Sequence, residues 1–262
     1  MIDPSADPTL RDNFYLMGRG RGPSQALRGK VHVFTVYLRR SIFSWRRRSK
    51  RAYERAMRQA IVNLEYEAKR YGVDLSMVGL YTERKIKLRA DPSDEFKLIS
   101  RSFSASSVQE LQERYEEKYN KDETVLLLAF DRPGRSFARF QTQDRGKPAD
   151  EISVICFDRR ETAESMGHTI AHEILHQFGA RDFYFPPAIK CTASDILGDS
   201  IMNSGRKWRV DDLTACVIGW QDTVGDEGER FLHATNWMTK EIHVEEQKKD
   251  RAKNGFAFKK RV

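Results

Sequence analysis

The segment HEILHQFGARD, residues 172–182, restricts what this chain can become more than any other. His172 and His176 stand four apart, and on an α-helix positions i and i+4 share a face, one turn apart. The spacing predicts a helix that aims two imidazoles at one point, where both could hold a metal ion at ~2.0–2.1 Å. Glu173 lies one step round the helix, beside the histidines, where it can take a proton from an activated water instead of ligating. Ile170, Ile174 and Phe178 supply an apolar face that would fix the helix against a core. The bland alternative is an amphipathic helix with two surface histidines, because H-E-x-x-H also arises by chance.

The residues just after the motif argue against chance. Three kinds of third ligand are within reach: His168 one turn upstream, Asp182 six residues downstream, or a residue far away. Gly179 can adopt φ > 0 at a helix end and turn the chain back beneath the histidines. Asp182 would then complete a His-His-Asp set and leave the fourth position of a zinc site to water. His168 cannot compete easily, since three ligands stacked along a straight helix cannot surround a tetrahedral ion. It is expected in the wall of the site, or better as a satisfied structural histidine.

The rest of the chain has to position that helix. A length of 262 residues suits one large domain with extensions, or two small ones, and an apolar fraction of 39% supports a real core. VHVFTVYL (31–38), LSMVGLYTERKIKL (75–88), TVLLLAF (124–130), SFARFQT (136–142) and EISVICF (151–157) read as strands. TVLLLAF is apolar throughout, as befits a central strand covered on both faces. Tyr53, Met57, Ala60, Ile61, Leu64, Ala68 and Tyr71 recur at steps of three and four, predicting a long helix stopped by Gly72. Residues 104–120 suggest a surface helix, and Asp158 with Glu161 a capping box that opens the histidine helix. VDDLTACVIGW (210–220) looks helical, with Asp211 or Asp212 near its start. Residues 1–30, rich in Pro, Gly, Asp and Arg, are expected to be a flexible extension; 31–234 are expected to form the working domain, and 235–262 a charged helix and tail.

Charge and cysteines limit the setting. Cys156, Cys191 and Cys216 are odd in number and wrongly spaced for a disulfide framework or a structural zinc site, so reduced thiols in a cytoplasmic protein are expected. The N-terminal residues show no apolar stretch of a secretory signal, and no run approaches the ~18 apolar residues of a membrane span. The net charge of +8 is concentrated in residues 39–51, where Arg39, Arg40, Arg46, Arg47, Arg48, Lys50 and Arg51 occur with no acid among them. That stretch could dock an acidic partner, although a solvated loop and helix start is the plainer reading. Nucleic-acid binding is not expected, since only Phe43 and Trp45 offer stacking platforms there.

HEILHQFGARD resembles the H-E-x-x-H-x-x-G-x-x-H/D signature of the metzincin metallopeptidases, in the Asp form that looks like that of snapalysin. SIMNS, residues 200–204, is similar to the methionine turn of that family, with Met202 twenty residues after Asp182. The resemblance spans about residues 31–220. It implies an α/β (α+β), metzincin-like zincin: a mixed twisted sheet with an antiparallel edge strand, a long backing helix, the zinc helix, the Met-turn and a C-terminal helix. It further implies a Zn2+ cofactor held by His172, His176 and Asp182, Glu173 as the catalytic base, and Met202 beneath the metal. By the same analogy Ser136, Phe137, Ala138, Arg139 and Phe140 belong to the edge strand that lines the cleft and pairs with an extended protein or peptide substrate. Ser204 stands where some families place a tyrosine ligand, so no such ligand is expected.

The expected function is thus a monomeric zinc endopeptidase. The rival from another class is a zinc-containing module of the same fold that docks an acidic partner, or nucleic acid, through residues 39–51. Glu173 weighs against the rival, because a pure binder has no need of that carboxylate. Latency is a further expectation: Asp3, Asp7 and Asp12 sit in a leader long enough to bring a carboxylate to the metal.

Overall fold

The computed structural model describes residues 10, 13–19, 26–39, 45–85, 110, 114, 117–119, 124–139, 152–203, 207–238, 242 and 245. The chain divides into two compact units, Gly18–Ala180 with Val217–Trp220, and Met1–Met17 with Arg181–Cys216 and Gln221–Val262.

The first unit is built on a five-stranded mixed sheet. Its strands are β1 (Gly29–Arg39), β2 (Leu75–Lys85), β3 (Thr124–Phe130), β4 (Phe137–Arg139) and β5 (Ile152–Cys156), in the order β2-β1-β3-β5-β4. All neighbours are parallel except β4, which runs antiparallel to β5 at one edge. Side chains alternate across a strand, so the inner strands β1, β3 and β5 each feed two cores. Phe34, Val36, Leu38, Leu126, Leu128, Phe130, Val154 and Cys156 form one buried cluster, with Tyr119 and Phe137 packed on it. The opposite face, with Val33, Thr35, Val125, Leu127, Ser153 and Ile155, is buried too. Both faces of β3 are therefore covered, which is why TVLLLAF lacks alternation.

Helix α1 (Arg47–Arg70) backs that second face, and the Thr35 and Tyr53 hydroxyls meet there at 3.4 Å. Tyr53, Met57, Ala60, Leu64 and Ala68 are buried as their spacing predicts, whereas Ile61 and Tyr71 are half-exposed. The helix starts inside the basic stretch, at Arg47. Arg46 is its N-cap without a side-chain cap bond, and the first turn carries no acid. Gly72 ends the helix at φ 68°, with the Val73 N–H on the Ala68 carbonyl. Helix α2 (Ala163–Gln177) packs on α1. A Cβ on Gly167 would lie 2.8 Å from the Ala56 carbonyl oxygen, so glycine is what lets the two helices approach. Of residues 104–120, Glu110, Arg114, Glu117 and Lys118 are helical, Tyr119 ends that stretch in a bend, and the others lie outside the described residues.

The second unit is helical among its described residues. It contains α3 (Pro187–Ile196), α5 (Asp226–Ala234) and most of α4 (Asp212–Val217). Neither α3 nor α5 is expected from the sequence. The α4 helix is shorter than the 210–220 expected, because Gly219 at φ 82° turns the chain after it. From the leader, Leu10, Asn13, Phe14, Tyr15 and Leu16 are buried. Of the charged tail, Ile242 and Glu245 are helical, and most of the rest lies outside the described residues. Among the described residues no helix is long and apolar enough to cross a membrane.

Candidate metal centre

Helix α2 is held to the sheet by a buried polar link. The Ser153 hydroxyl donates to the Glu173 carbonyl at 2.8 Å. The Gln177 amide donates to the Ser153 hydroxyl at 2.8 Å and to the Leu126 carbonyl at 3.0 Å. A fully partnered network of this kind rigidifies what it joins, so strands β3 and β5 fix both the height and the rotation of the helix. His172, Glu173 and His176 are buried on it. The capping box expected from Asp158 and Glu161 is not the start of the helix. Thr162 is the N-cap and accepts from the Ser165 N–H at 3.1 Å, while Asp158 accepts from the Arg160 N–H in a local turn. An Asx turn competes well with a cap for an aspartate two residues from the N–H it bonds.

The C-terminal end of α2 closes as a Schellman motif. Gly179, at φ 97°, donates to the His176 carbonyl, and the Ala180 N–H donates to the Leu175 carbonyl. Residue 179 has a second reason to be glycine. A Cβ there would lie 2.3 Å from the Gly18 carbonyl oxygen, and one on Gly18 would lie 2.1 Å from that of Gly179. Two backbone segments touch at this point, and neither tolerates a side chain.

The turn also fixes a tautomer. His176 Nδ1 lies 2.7 Å from the Ala180 carbonyl oxygen, and an oxygen acceptor requires the proton on Nδ1. The Nε2 lone pair is thereby left for a cation. His172 Nε2 and His176 Nε2 face each other at 3.1 Å. Two nitrogens that each ligate a tetrahedral ion at ~2.0–2.1 Å stand roughly 3.3 Å apart, so the spacing suits a shared ion. One ligand atom each from His172, His176 and Asp182 lie within 4.8 Å of one another. Among the described residues these are the one group of three His, Cys, Asp or Glu close enough to hold a metal. His168, half-buried a turn upstream, is not in it. Two imidazoles and a carboxylate match the donor types and number that zinc takes in hydrolytic sites.

Met202 belongs to the second unit and is fully buried. It sits in a turn in which the Asn203 N–H donates to the Ser200 carbonyl and the Met202 N–H to the Ser200 hydroxyl. The Met202 carbonyl accepts from the Phe183 N–H at 2.9 Å, which joins this turn to the residue after Asp182. Asp211 secures the turn from behind. Its buried carboxylate takes the Ser200 hydroxyl at 2.5 Å and also caps α4 through the Thr214 N–H and hydroxyl.

Of the edge strand expected over 136–142, Phe137–Arg139 form β4, and residues 140–142 lie outside the described residues. Ser136 precedes β4, and its hydroxyl accepts from the Cys156 N–H at 3.1 Å. Asp3, Asp7 and Asp12 lie outside the described residues. From the basic stretch, Arg46 and Arg48 join Arg55 and Arg159 around a cavity of about 420 Å3. Arg159 is committed to an ion pair with Asp131, and Lys50 to one with Glu83 at 3.0 Å.

A comparison with protein-family models gives no match to this chain. A comparison with curated protein sequences likewise gives none.

Proposed function

We propose that this chain is a zinc-dependent endopeptidase, with His172, His176 and Asp182 as metal ligands and Glu173 as general base. The observation that carries the reading is the convergence of those three ligand groups beside a buried glutamate on a rigidly anchored helix. The antiparallel strand at the sheet edge and the buried Met202 turn support a metzincin-like arrangement of the same parts.

Zinc held there would act as a Lewis acid on a scissile carbonyl and would lower the pKa of a water toward ~7. Glu173 would accept the water's proton on its carboxylate and deliver it to the leaving amine. The bond of His176 Nδ1 to the Ala180 carbonyl would hold that imidazole in one orientation through the cycle. An anionic third ligand makes the site one charge less positive than three histidines would, so the water should be slightly less acidic than in a three-histidine centre. Strand β4, at the edge of the sheet, would offer its outer backbone groups to an extended peptide. On this reading the enzyme acts as a monomer in the cytoplasm.

A second reading is favoured by the arginine-lined cavity: a zinc-bearing module that docks an acidic partner there. One experiment separates the two. A strong chelator should abolish cleavage of an unfolded protein substrate, and stoichiometric Zn2+ should restore it. Cleavage that survives chelation would overturn the metal mechanism, and no cleavage under any condition would favour the docking module.

A further inference from the structure

Asp182 lies on a segment that is neither helix nor strand. Both its neighbours contact the leader, and the Phe183 N–H also bonds to the Met202 carbonyl. The Arg181 guanidinium lies over the Phe14 ring, 4.7 Å from its centroid. The Tyr15 ring packs against Phe183 with centroids 5.5 Å apart, and against Phe231 of α5 at 5.1 Å. Phe183 and Phe231 meet in turn at 5.2 Å, which closes a triangle of buried rings. Phe14 and Tyr15 stand edge to face, 5.2 Å apart, and act as one block. Asn13 ties that block down: its amide donates to the Leu232 carbonyl at 3.0 Å, and its side-chain oxygen accepts from the Tyr15 N–H at 3.0 Å.

We infer that Asn13, Phe14 and Tyr15 are positioning residues of the metal centre, gripping Arg181 and Phe183 so that Asp182 between them is presented as a ligand. The inference rests on the reading of Asp182 as a metal ligand. Aromatic contacts and a cation over a ring each contribute modestly, but here they act on both flanks of one residue. Removing residues 13–15 should therefore weaken metal binding.

The test is Zn2+ affinity by chelator competition on the full chain, with the visible spectrum of the Co2+-loaded protein as a readout of coordination. Wild type, Tyr15→Phe, Tyr15→Leu, Phe14→Leu and Asp182→Ala are compared, with Tyr15→Leu also combined with Asp182→Ala. Tyr15→Leu and Phe14→Leu should each weaken Zn2+ binding by about 10-fold or more, the range for groups that orient a ligand without touching the metal. Tyr15→Phe, which keeps the ring, should remain near wild type in affinity and spectrum. In the Asp182→Ala background Tyr15→Leu should cost nothing further, because the clamp acts through Asp182. Should Tyr15→Leu not fold, Phe14→Leu alone and in the Asp182→Ala background decides. Wild-type affinity in the folded leucine variants, or an equal loss with and without Asp182, would overturn the clamp. Failure of wild type to bind Zn2+, or wild-type affinity in Asp182→Ala, would instead overturn the reading on which it rests.

Discussion

Glu173→Gln is expected to keep its zinc and lose peptidase activity by roughly 10²–10⁴-fold, the range that general acid–base catalysis supplies. The substitution preserves size and burial at a position that is 4% exposed, so the helix and its histidines should stay where they are. The amide can hydrogen-bond a water but cannot accept its proton, so only the proton transfer is removed. The measurement is single-turnover cleavage of an unfolded protein beside zinc content on the same sample. A near wild-type rate would mean that another group is the base, and lost zinc would mean that Glu173 is needed to build the site.

Asp182→Ala is expected to have the second large effect, this time on the metal. Losing one of three protein ligands should weaken zinc more than the roughly 10–100-fold typical of outer orienting groups. Asp182→His should retain zinc, since it supplies a neutral donor of the usual kind at the same position. His168→Ala should change zinc little, because His168 lies outside the group formed by His172, His176 and Asp182. Metal content of the three dialysed variants decides the matter. Strong zinc loss in His168→Ala alongside full retention in Asp182→Ala would reassign the third ligand.

The parts of the site that could be read from the sequence are those fixed by local geometry. His172 and His176 fall on one helix face because the period of a helix dictates it. Gly179 announces the turn to Asp182 because a left-handed residue at a helix end favours glycine. The backing helix and the central strands were legible for the same reason, in the steps of Tyr53 to Ala68 and the unbroken apolar run of β3. What was not legible depends on partners distant in sequence. Ser153 and Gln177 look like ordinary polar residues until the fold brings them together with the Leu126 carbonyl. Asn13 and Leu232 are joined across 219 positions, and nothing in a leader rich in Pro, Gly and Asp marks Phe14 and Tyr15 as buried. Gly18 and Gly167 serve close backbone approaches whose other half lies elsewhere in the chain. The α3 helix starts at Pro187 with Pro186 as its N-cap, which suits the first helical turn, but a proline pair does not by itself distinguish a helix start from a turn. The helix cap was misplaced because Asp158 and Thr162 are both good caps, and only the path of the chain selects Thr162.

The most direct test of the central claim is the zinc stoichiometry of metal-stripped protein titrated with Zn2+ against a chromophoric chelator. The account predicts one tight site per chain in wild type, abolished in His176→Ala, with tetrahedral absorption when Co2+ replaces zinc. Wild-type protein that takes up no tight zinc, or a site that survives His176→Ala undiminished, would contradict it.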